Sequence, residues 1–300
     1  MFGSVRELVA AAEEAGVSLG ELMLRREAAE GGRSREAVYA GMARQYAVMR
    51  EAANRGLTGL YSHSGMTGGN ARKMEEYRLS GRGLTDGTFL KAITYALSTN
   101  EVNAAMGVIC ASPTAGSGGV LPGVLLAAQE KLGKSDEEAV MALFCAGAFG
   151  LVIANNAMIS GAAGGCQAEV GSASGMAAAA LVQLAGGSAS QSAHAMAMAL
   201  KNMLGLVCDP LAGLVEVPCV KRNAAGAANA LAAAEMALSG VESYVPWDEV
   251  VLALYQVGLG MPLALRETAQ GGLAATPTGR EWKKRLWEKG AEDTEGDAAG

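Results

Sequence analysis

SGAAGGCQAEVGSASG (160–175) and CDPLAGLVEVPCVKRN (208–223) are the two segments around which this chain is organised. They contain three of the five cysteines, Cys166, Cys208 and Cys219, and each stands beside glycine, proline or an acidic residue rather than inside a plain apolar run. Glycine and proline both disfavour a regular helix. The clustering therefore indicates a backbone bent to direct sulfur atoms toward a ligand, most simply a metal.

The spacing of these cysteines, Cys-x41-Cys-x10-Cys, contains no CxxC pair and so does not match a zinc ribbon or a zinc finger. A structural zinc or a fully ligated iron–sulfur cluster takes four protein ligands, whereas a [4Fe–4S] cluster held by three cysteines leaves one iron open to a substrate oxygen. Three thiolates favour the open cluster, with zinc as the remaining alternative. The other two cysteines, Cys110 and Cys145, lie in the apolar contexts VICAS and LFCAG and are predicted to belong to the core.

These segments resemble the α chain of the iron–sulfur-dependent L-serine dehydratases, also called L-serine ammonia-lyases. The resemblance rests on SGAAGGCQAEVGSA, on LKNMLGLVCDPLAGLVEVPCVKRNAA and on the cysteine spacing, and it extends over about residues 1–275. It implies that the three cysteines ligate a [4Fe–4S] cluster and that L-serine is deaminated to pyruvate and ammonia. It implies an oxygen-sensitive lyase of amino-acid degradation, and no lysine stands in a setting that argues for pyridoxal phosphate.

Two segments rich in glycine, serine and threonine are predicted to form substrate loops: RGLTGLYSHSGMTGGNARK (55–73, loop 1) and ASPTAGSGG (111–119, loop 2). Such loops expose backbone N–H groups and hydroxyls and bind small anions such as a carboxylate. Loop 1 contains the family motif Ser-x-Ser-Gly-x-Thr-Gly-Gly. Arg222 follows the last cysteine and could pair with a carboxylate or tune the cluster, the alternative being a solvated helix start. The candidate substrate-binding residues are Ser62, Ser64, Gly65, Thr67, Gly68, Thr114, Gly116 and Arg222.

The general base has no strong candidate in this chain. His63 occupies the variable position of the loop 1 motif and is only a weak candidate, and His194 lies in SAHAMAMAL, where a packed or surface position is favoured over catalysis. The family exists in a two-chain form whose separate β chain carries a catalytic histidine. The resemblance therefore implies that this chain is the α half of a hetero-oligomer and depends on a β chain for activity.

Two other functions remain open at this stage. Related cluster proteins are L-cysteine desulfidases, which would make L-cysteine the substrate. The second alternative is a non-catalytic scaffold subunit whose cysteines bind a structural metal.

Helix signals dominate the sequence, and strand signals are almost absent, so the predicted class is all-α. We expect a single compact Ala/Gly-rich helical domain over residues 1–279, and a terminal helix with an acidic, disordered tail over 280–300. Capping boxes of the form Ser/Thr-x-x-Glu begin at Ser4, Ser18, Ser135 and Thr278. Helices are expected near 5–15, 19–29, 35–54, 120–133, 135–154, 173–185, 189–204, 220–238 and 247–258, with a further short polar helix directly after loop 1.

Charge and hydropathy exclude several classes of partner. A net charge of −6 and a pI near 5.2, without a basic run, argue against a nucleic-acid partner. The first residues lack the apolar core of a signal peptide, so we expect a cytoplasmic protein. The apolar run 139–154 is shorter than the roughly 20 residues that span a bilayer and is predicted to be a buried helix rather than a membrane segment.

Overall fold

The computed structural model describes residues 2–286, and in this range it contains helices and loops but no strand. The helices have the following bounds: α1 Val5–Ala15, α2 Leu19–Glu30, α3 Arg35–Arg55, α4 Asn70–Leu79, α5 Gly87–Ala104, α6 Val120–Leu132, α7 Asp136–Asn156, α8 Gly161–Gly164, α9 Ser172–Leu184, α10 Ala189–Met203, α11 Cys219–Leu238, α12 Trp247–Gly260 and α13 277–286. A π-helical turn, Gln167–Gly171, joins α8 to α9. The prediction of a single all-α domain is confirmed.

Local capping accounts for most helix starts. The hydroxyls of Ser4 and Ser18 accept hydrogen bonds from the amides three residues later, and Ser135 forms the complete capping box with Glu138. The predicted cap at Thr278 is wrong. Helix α13 begins at residue 277, and the Thr276 hydroxyl accepts the Gly279 amide at 3.1 Å, because the chain is still extended at Thr276.

Helix α9 is the centre of the bundle. It packs against α6, α7, α10 and α11, and all of its residues from Ser172 to Val182 are buried. A helix buried on every side needs small residues so that its neighbours can approach closely. Its sequence, SASGMAAAALVQL, meets that need, and the Ser174 hydroxyl donates a hydrogen bond to the Gly226 carbonyl of α11 at 2.9 Å.

Helix α7 confirms the prediction of a buried apolar helix. It is the one helix in residues 2–286 that is long and apolar enough to cross a membrane, and 61% of its most apolar window is buried inside the protein. Phe144, Phe149 and Ile153 on this helix are among the largest fully buried side chains. Its apolar surface is therefore used in the protein core.

Helix α5 is missing from the predicted elements, and the predicted C-terminal region is only partly described. Helix α5 has no counterpart among the predicted elements, although the carboxylate of Asp86 caps it by accepting the Phe89 amide at 2.8 Å. The predicted terminal helix is present to residue 286, and the predicted disordered tail (287–300) lies outside the described residues.

Candidate metal centre and substrate loops

The three predicted metal ligands are all buried and come from separate segments. Cys166 precedes the π-helical turn that leads into α9, Cys208 lies in the loop after α10, and Cys219 is the first residue of α11. Their exposed fractions are 3%, 2% and 8%. The amides at a helix N-terminus carry partial positive charge, so at Cys219 they offset part of the cost that burial adds to forming a thiolate.

The three thiols are close enough to influence one another electrostatically. Burial raises the pKa of Cys166 to about 11, against the opposing effect of the neighbouring Arg222 guanidinium. Burial, followed by the charge of Cys166, raises the pKa of Cys219 to about 12. Burial raises the pKa of Cys208 further, and charge on the other two cysteines adds to the shift. A cation that binds all three sulfurs would therefore stabilise thiolates that the protein alone disfavours.

A segment after α12 reaches the site through the backbone of Cys208. The Cys208 amide donates to the Leu265 carbonyl at 2.9 Å, and the Glu267 amide donates to the Cys208 carbonyl at 2.7 Å. Glu267 adopts a left-handed conformation with φ 61°. This pairing brings its carboxylate next to the Cys208 sulfur.

Two carboxylates share the site with the cysteines. One ligand atom from each of Glu169, Cys208 and Glu267 lies within 4.8 Å of the others. Thr114 of loop 2 donates its hydroxyl to Glu169 at 2.7 Å. Burial raises the pKa of Glu169, the Thr114 hydrogen bond opposes that shift, and the charge of Glu267 adds to it.

Loop 1 folds as a tight turn that is tied to the segment between the second and third cysteines. The Ser62 amide donates to the Thr67 carbonyl at 2.9 Å, and the Gly65 amide donates to the Ser62 carbonyl at 3.1 Å. Ser64 donates its hydroxyl to the buried Glu216 carboxylate at 2.5 Å. Loop 1 therefore sits against the cysteine-bearing segment, and Gly68 lies beside the ring of Tyr61 at the far end of the turn.

Loop 2 is held by two asparagine side chains. The Gly116 carbonyl accepts the side-chain amides of Asn100 at 3.1 Å and Asn223 at 2.7 Å. Asn223 also accepts the Gly119 amide at 2.9 Å and donates to the Cys219 carbonyl at 2.9 Å. One fully buried side chain thus joins loop 2 to the third cysteine.

Arg222 lies beside the cysteines with much of its guanidinium already engaged. It forms an ion pair with the buried Asp209 at 2.8 Å and donates to the Val207 carbonyl at 2.7 Å. Both partners are neighbours of Cys208, and the same guanidinium acts on the Cys166 thiol. Arg222 therefore connects α11 to the loop of the second cysteine, and its role in substrate binding stays a prediction.

The remaining histidines and cysteines divide between surface and core. His63 is exposed on loop 1. His194 is half-buried, and its Nδ1 accepts the Ser243 amide at 3.0 Å and the Trp247 indole N–H at 3.1 Å, which confirms the packed position. Cys145 is fully buried, as predicted for the core, whereas Cys110 is only partly buried at the edge of it.

Sequence reasoning missed the acidic part of the site. Glu169 and Glu267 lie within 4.8 Å of the Cys208 sulfur, and Glu216 binds loop 1, yet none of the three was selected as a candidate. Glu169 could have been found, because an acid inside CQAEVG is unusual in an otherwise small and apolar segment. Glu267 lies 48 positions after Cys219 and carries no local signal.

Comparison with known proteins supplies the family. The family described as serine dehydratase alpha chain matches residues 14–274, which include the three cysteines and both loops. The chain belongs to that family. The chain is 57% identical over 287 residues to a probable L-serine dehydratase alpha chain from Bacillus subtilis (strain 168), covering 96% of each chain. It is 42% identical over 291 residues to the L-serine dehydratase alpha chain of Peptoniphilus asaccharolyticus, covering 97% of this chain and all of that protein.

Members of the family also occur within longer proteins. The chain is 36% identical over 281 residues to L-serine dehydratase TdcG from Escherichia coli (strain K12), a match that covers 91% of this chain but 61% of that protein. The relatives named as alpha chains are therefore matched nearly end to end, whereas the E. coli protein carries a further portion outside the match.

Proposed function

We propose that this chain is the α chain of an L-serine dehydratase, which deaminates L-serine to pyruvate and ammonia together with a separate β chain in a hetero-oligomer. The observation that carries the proposal is the convergence of three buried cysteines from three segments, with both predicted substrate loops hydrogen-bonded to the same segments. The relatives named as L-serine dehydratase alpha chains support the reaction and the two-chain form.

A [4Fe–4S] cluster held by Cys166, Cys208 and Cys219 fits the donor set. Because burial raises their pKa values, the three thiols stay protonated in the chain alone, and a metal that replaces the protons would hold them as thiolates, the usual ligands of iron–sulfur clusters. When bound, such a cluster supplies a Lewis acid toward the substrate hydroxyl, which is otherwise a poor leaving group. Reduced thiols and such a cluster both suit the cytoplasm.

The side chains of this chain would bind and orient L-serine. The hydroxyls of Ser62 and Thr67 and the backbone of loops 1 and 2 offer donors for the substrate carboxylate, and glycine at the turns keeps the approach free of side chains. The hydroxyls of Ser64 and Thr114 already donate to Glu216 and Glu169, so their contribution to substrate binding would be indirect.

The proton at Cα requires a base that we assign to the β chain. Within residues 2–286 the histidines are His63, exposed on loop 1, and His194, which packs against Trp247. A base must reach the proton within hydrogen-bonding distance. A β chain that covers loop 1 would bring one there, and the same covering would exclude water from the site.

The ligand set is tested by metal content. The chain is prepared without oxygen as the wild type and as Cys166→Ala, Cys208→Ala and Cys219→Ala, with Cys110→Ala and Cys145→Ala as matched controls. We expect about four irons per chain in the wild type and both controls, and less than about one in each of the other three. A colourless wild-type protein without iron would contradict the cluster and would favour the scaffold alternative.

The reaction is tested by comparing the chain alone with the chain plus its β partner. We expect pyruvate formation from L-serine to fall by at least about 100-fold without β, because general-base catalysis contributes about that much. Full activity of the lone chain would refute the need for β. Hydrogen sulfide release from L-cysteine that exceeds pyruvate release from L-serine would make the protein a desulfidase instead.

A further inference from the structure

Glu169 and Glu267 form a pair of carboxylates that the chain itself does not neutralise. Within residues 2–286 neither forms an ion pair with a lysine or an arginine, and Arg222, whose charge acts on Cys166, is paired with Asp209. Glu169 is only 9% exposed. Buried carboxylates are normally paired with a cation, so this pair indicates a positively charged ligand.

The Glu169 carboxylate is held in place while space is kept open around it. Its Oε1 accepts the Thr114 hydroxyl at 2.7 Å, and its Oε2 lies 3.8 Å from the Cys208 sulfur. A Cβ at Gly161 would stand 2.7 Å from Oε2, and a Cβ at Gly116 would stand 3.3 Å from Oε1. Glycine at both positions therefore leaves room at a carboxylate that any larger residue would crowd.

Loop 2 adds a second, independent sign of a ligand. The Ser112 hydroxyl is 95% buried and has no hydrogen-bond partner among the described residues, and the same holds for the side-chain oxygen of the fully buried Asn100. Both belong to the structure around Gly116 and Thr114. Buried polar atoms are rarely left unpaired, so these two indicate a polar ligand at loop 2, the loop whose Thr114 hydroxyl binds Glu169.

We propose that Glu169, with Glu267 beside it, binds the α-ammonium group of an amino-acid substrate. This inference rests on the proposed function, in which the donors of loops 1 and 2 bind the substrate carboxylate and the β-hydroxyl faces the cysteines. An α-amino acid carries the two charges that this arrangement complements, a carboxylate for the donors and an ammonium for Glu169. Glu169 would thus select amino acids over hydroxy acids of the same shape.

The preference for an amino acid over a hydroxy acid of the same shape can be measured directly. L-glycerate has the shape of L-serine but carries a hydroxyl in place of the ammonium group. Removing one partner of a buried charge pair costs enough to weaken binding about 30-fold or more. In Glu169→Gln we therefore expect the Kd of L-serine to rise by about that factor, while the Kd of L-glycerate stays the same or falls.

The experiment uses the complex of this chain with its β chain, prepared without oxygen, and obtains both constants from initial rates of pyruvate formation, with L-serine as the substrate and L-glycerate as its competitor, because the complex would consume L-serine during a calorimetric titration. Iron and sulfide are counted first in each variant. Glu169→Asp keeps the charge and should recover part of the preference for L-serine. Asp136→Asn alters a carboxylate that pairs with Arg50 and accepts the Gln129 side-chain amide, outside both loops and the cysteine segments, so it should leave the ratio of the two constants unchanged.

A Glu169→Gln complex that keeps its iron and its preference for L-serine would overturn the inference, as would an equal loss of affinity for both ligands. If Glu169→Gln loses its iron, Glu267→Gln decides the matter. That variant removes one of the two negative charges and leaves Glu169 in place, and an unchanged preference for L-serine there would overturn the inference. Failure of the proposed function looks different, because the wild-type complex would then neither bind nor deaminate L-serine.

Discussion

Among single residues, Asn223 shows how one buried side chain can align two parts of the site. Its carboxamide has one acceptor and two donor positions, and it uses them on the Gly119 amide, the Gly116 carbonyl and the Cys219 carbonyl. A hydrogen bond made in the interior is modest in net energy, yet a buried partner left without one is costly. Loop 2 and the start of α11 are therefore fixed to each other without any direct contact between a loop side chain and a cysteine.

His194 makes a residue-scale prediction about pH. Burial lowers the pKa of His194, the charge of Glu242 raises it, and the charge of Lys201 lowers it. The Nδ1 atom accepts hydrogen bonds from the Ser243 amide and the Trp247 indole, which it can do only while it is unprotonated. A group whose pKa is lowered below about 6.5 on folding contributes stability above that pH and loses it as the pH falls through the folded value. We expect the melting temperature to fall between about pH 7 and pH 5, and to fall less in His194→Gln.

The measurement is thermal unfolding at a series of pH values for both proteins. Gln keeps a hydrogen-bond acceptor but takes up no proton, so the variant shows how the melting temperature depends on pH when position 194 does not titrate. Parallel curves for the two proteins would show that His194 does not titrate in this range.

At the scale of elements, the π-helical turn Gln167–Gly171 is what separates Cys166 from the regular geometry of α9. A π turn inserts an extra residue into the helical repeat, and such turns are frequent at functional sites. Here the turn contains Glu169, and its first residue, Gln167, is fully buried. The Gln167 side chain accepts the Gly205 amide at 2.9 Å and donates to the Leu254 carbonyl at 3.1 Å.

Gln167 therefore ties the first cysteine to the loop that leads to the second. We predict that Gln167→Ala lowers the free energy of unfolding by about 1–3 kcal/mol, because the buried Leu254 carbonyl and the Gly205 amide both lose this hydrogen-bond partner. We also predict that it lowers the iron retained per chain, since Cys166 and Cys208 are no longer held in register. Urea unfolding and iron analysis of the same preparations measure the two effects.

Gln183 on α9 provides the matched control. Its side chain makes the same two kinds of bond, accepting the Gly20 amide at 2.8 Å and donating to the Met141 carbonyl at 3.0 Å, but it lies at the other end of α9. Gln183→Ala should cost a similar unfolding free energy and leave the iron content unchanged. Equal iron loss in both variants would show that Gln167 acts only through overall stability.

For the whole molecule, the close approach of helices depends on glycine at particular crossings. A Cβ at Gly123 of α6 would lie 2.7 Å from the Ala92 carbonyl oxygen and 2.9 Å from the Ala96 Cβ of α5. At Gly147 of α7 a Cβ would meet nothing within 4 Å. The same residue type thus has opposite consequences at two helix interiors.

We predict that Gly123→Ala destabilises the protein by about 1–3 kcal/mol, because overpacking forces α5 and α6 apart. Gly147→Ala should stabilise it by about 0.5–1 kcal/mol, since alanine loses less conformational entropy than glycine in a helix. Chemical unfolding of the two variants beside the wild type tests the pair. A loss of stability in both would mean that the α5–α6 crossing is not the limiting contact.

The sequence by itself determined the elements and the sulfur ligand candidates. Capping serines, stop glycines and small apolar residues act within a few positions of one another, so the helix starts at Ser4, Ser18 and Ser135 follow from local chemistry. Cys166, Cys208 and Cys219 were recognisable because glycine and proline surround them. The same local rules misplaced the cap of α13 and left α5 unassigned.

Only the tertiary structure decided what faces the cysteines. Glu169 and Glu267 are 98 positions apart in the chain, and they meet at the Cys208 sulfur because the segment after α12 pairs with the backbone of the second cysteine. A long-range backbone pairing leaves no periodic trace in the sequence. That pairing brings the Glu267 carboxylate to within a few ångströms of Glu169 and the Cys208 sulfur. Electrostatic interaction weakens with distance, so the negative charge of the site depends on this pairing.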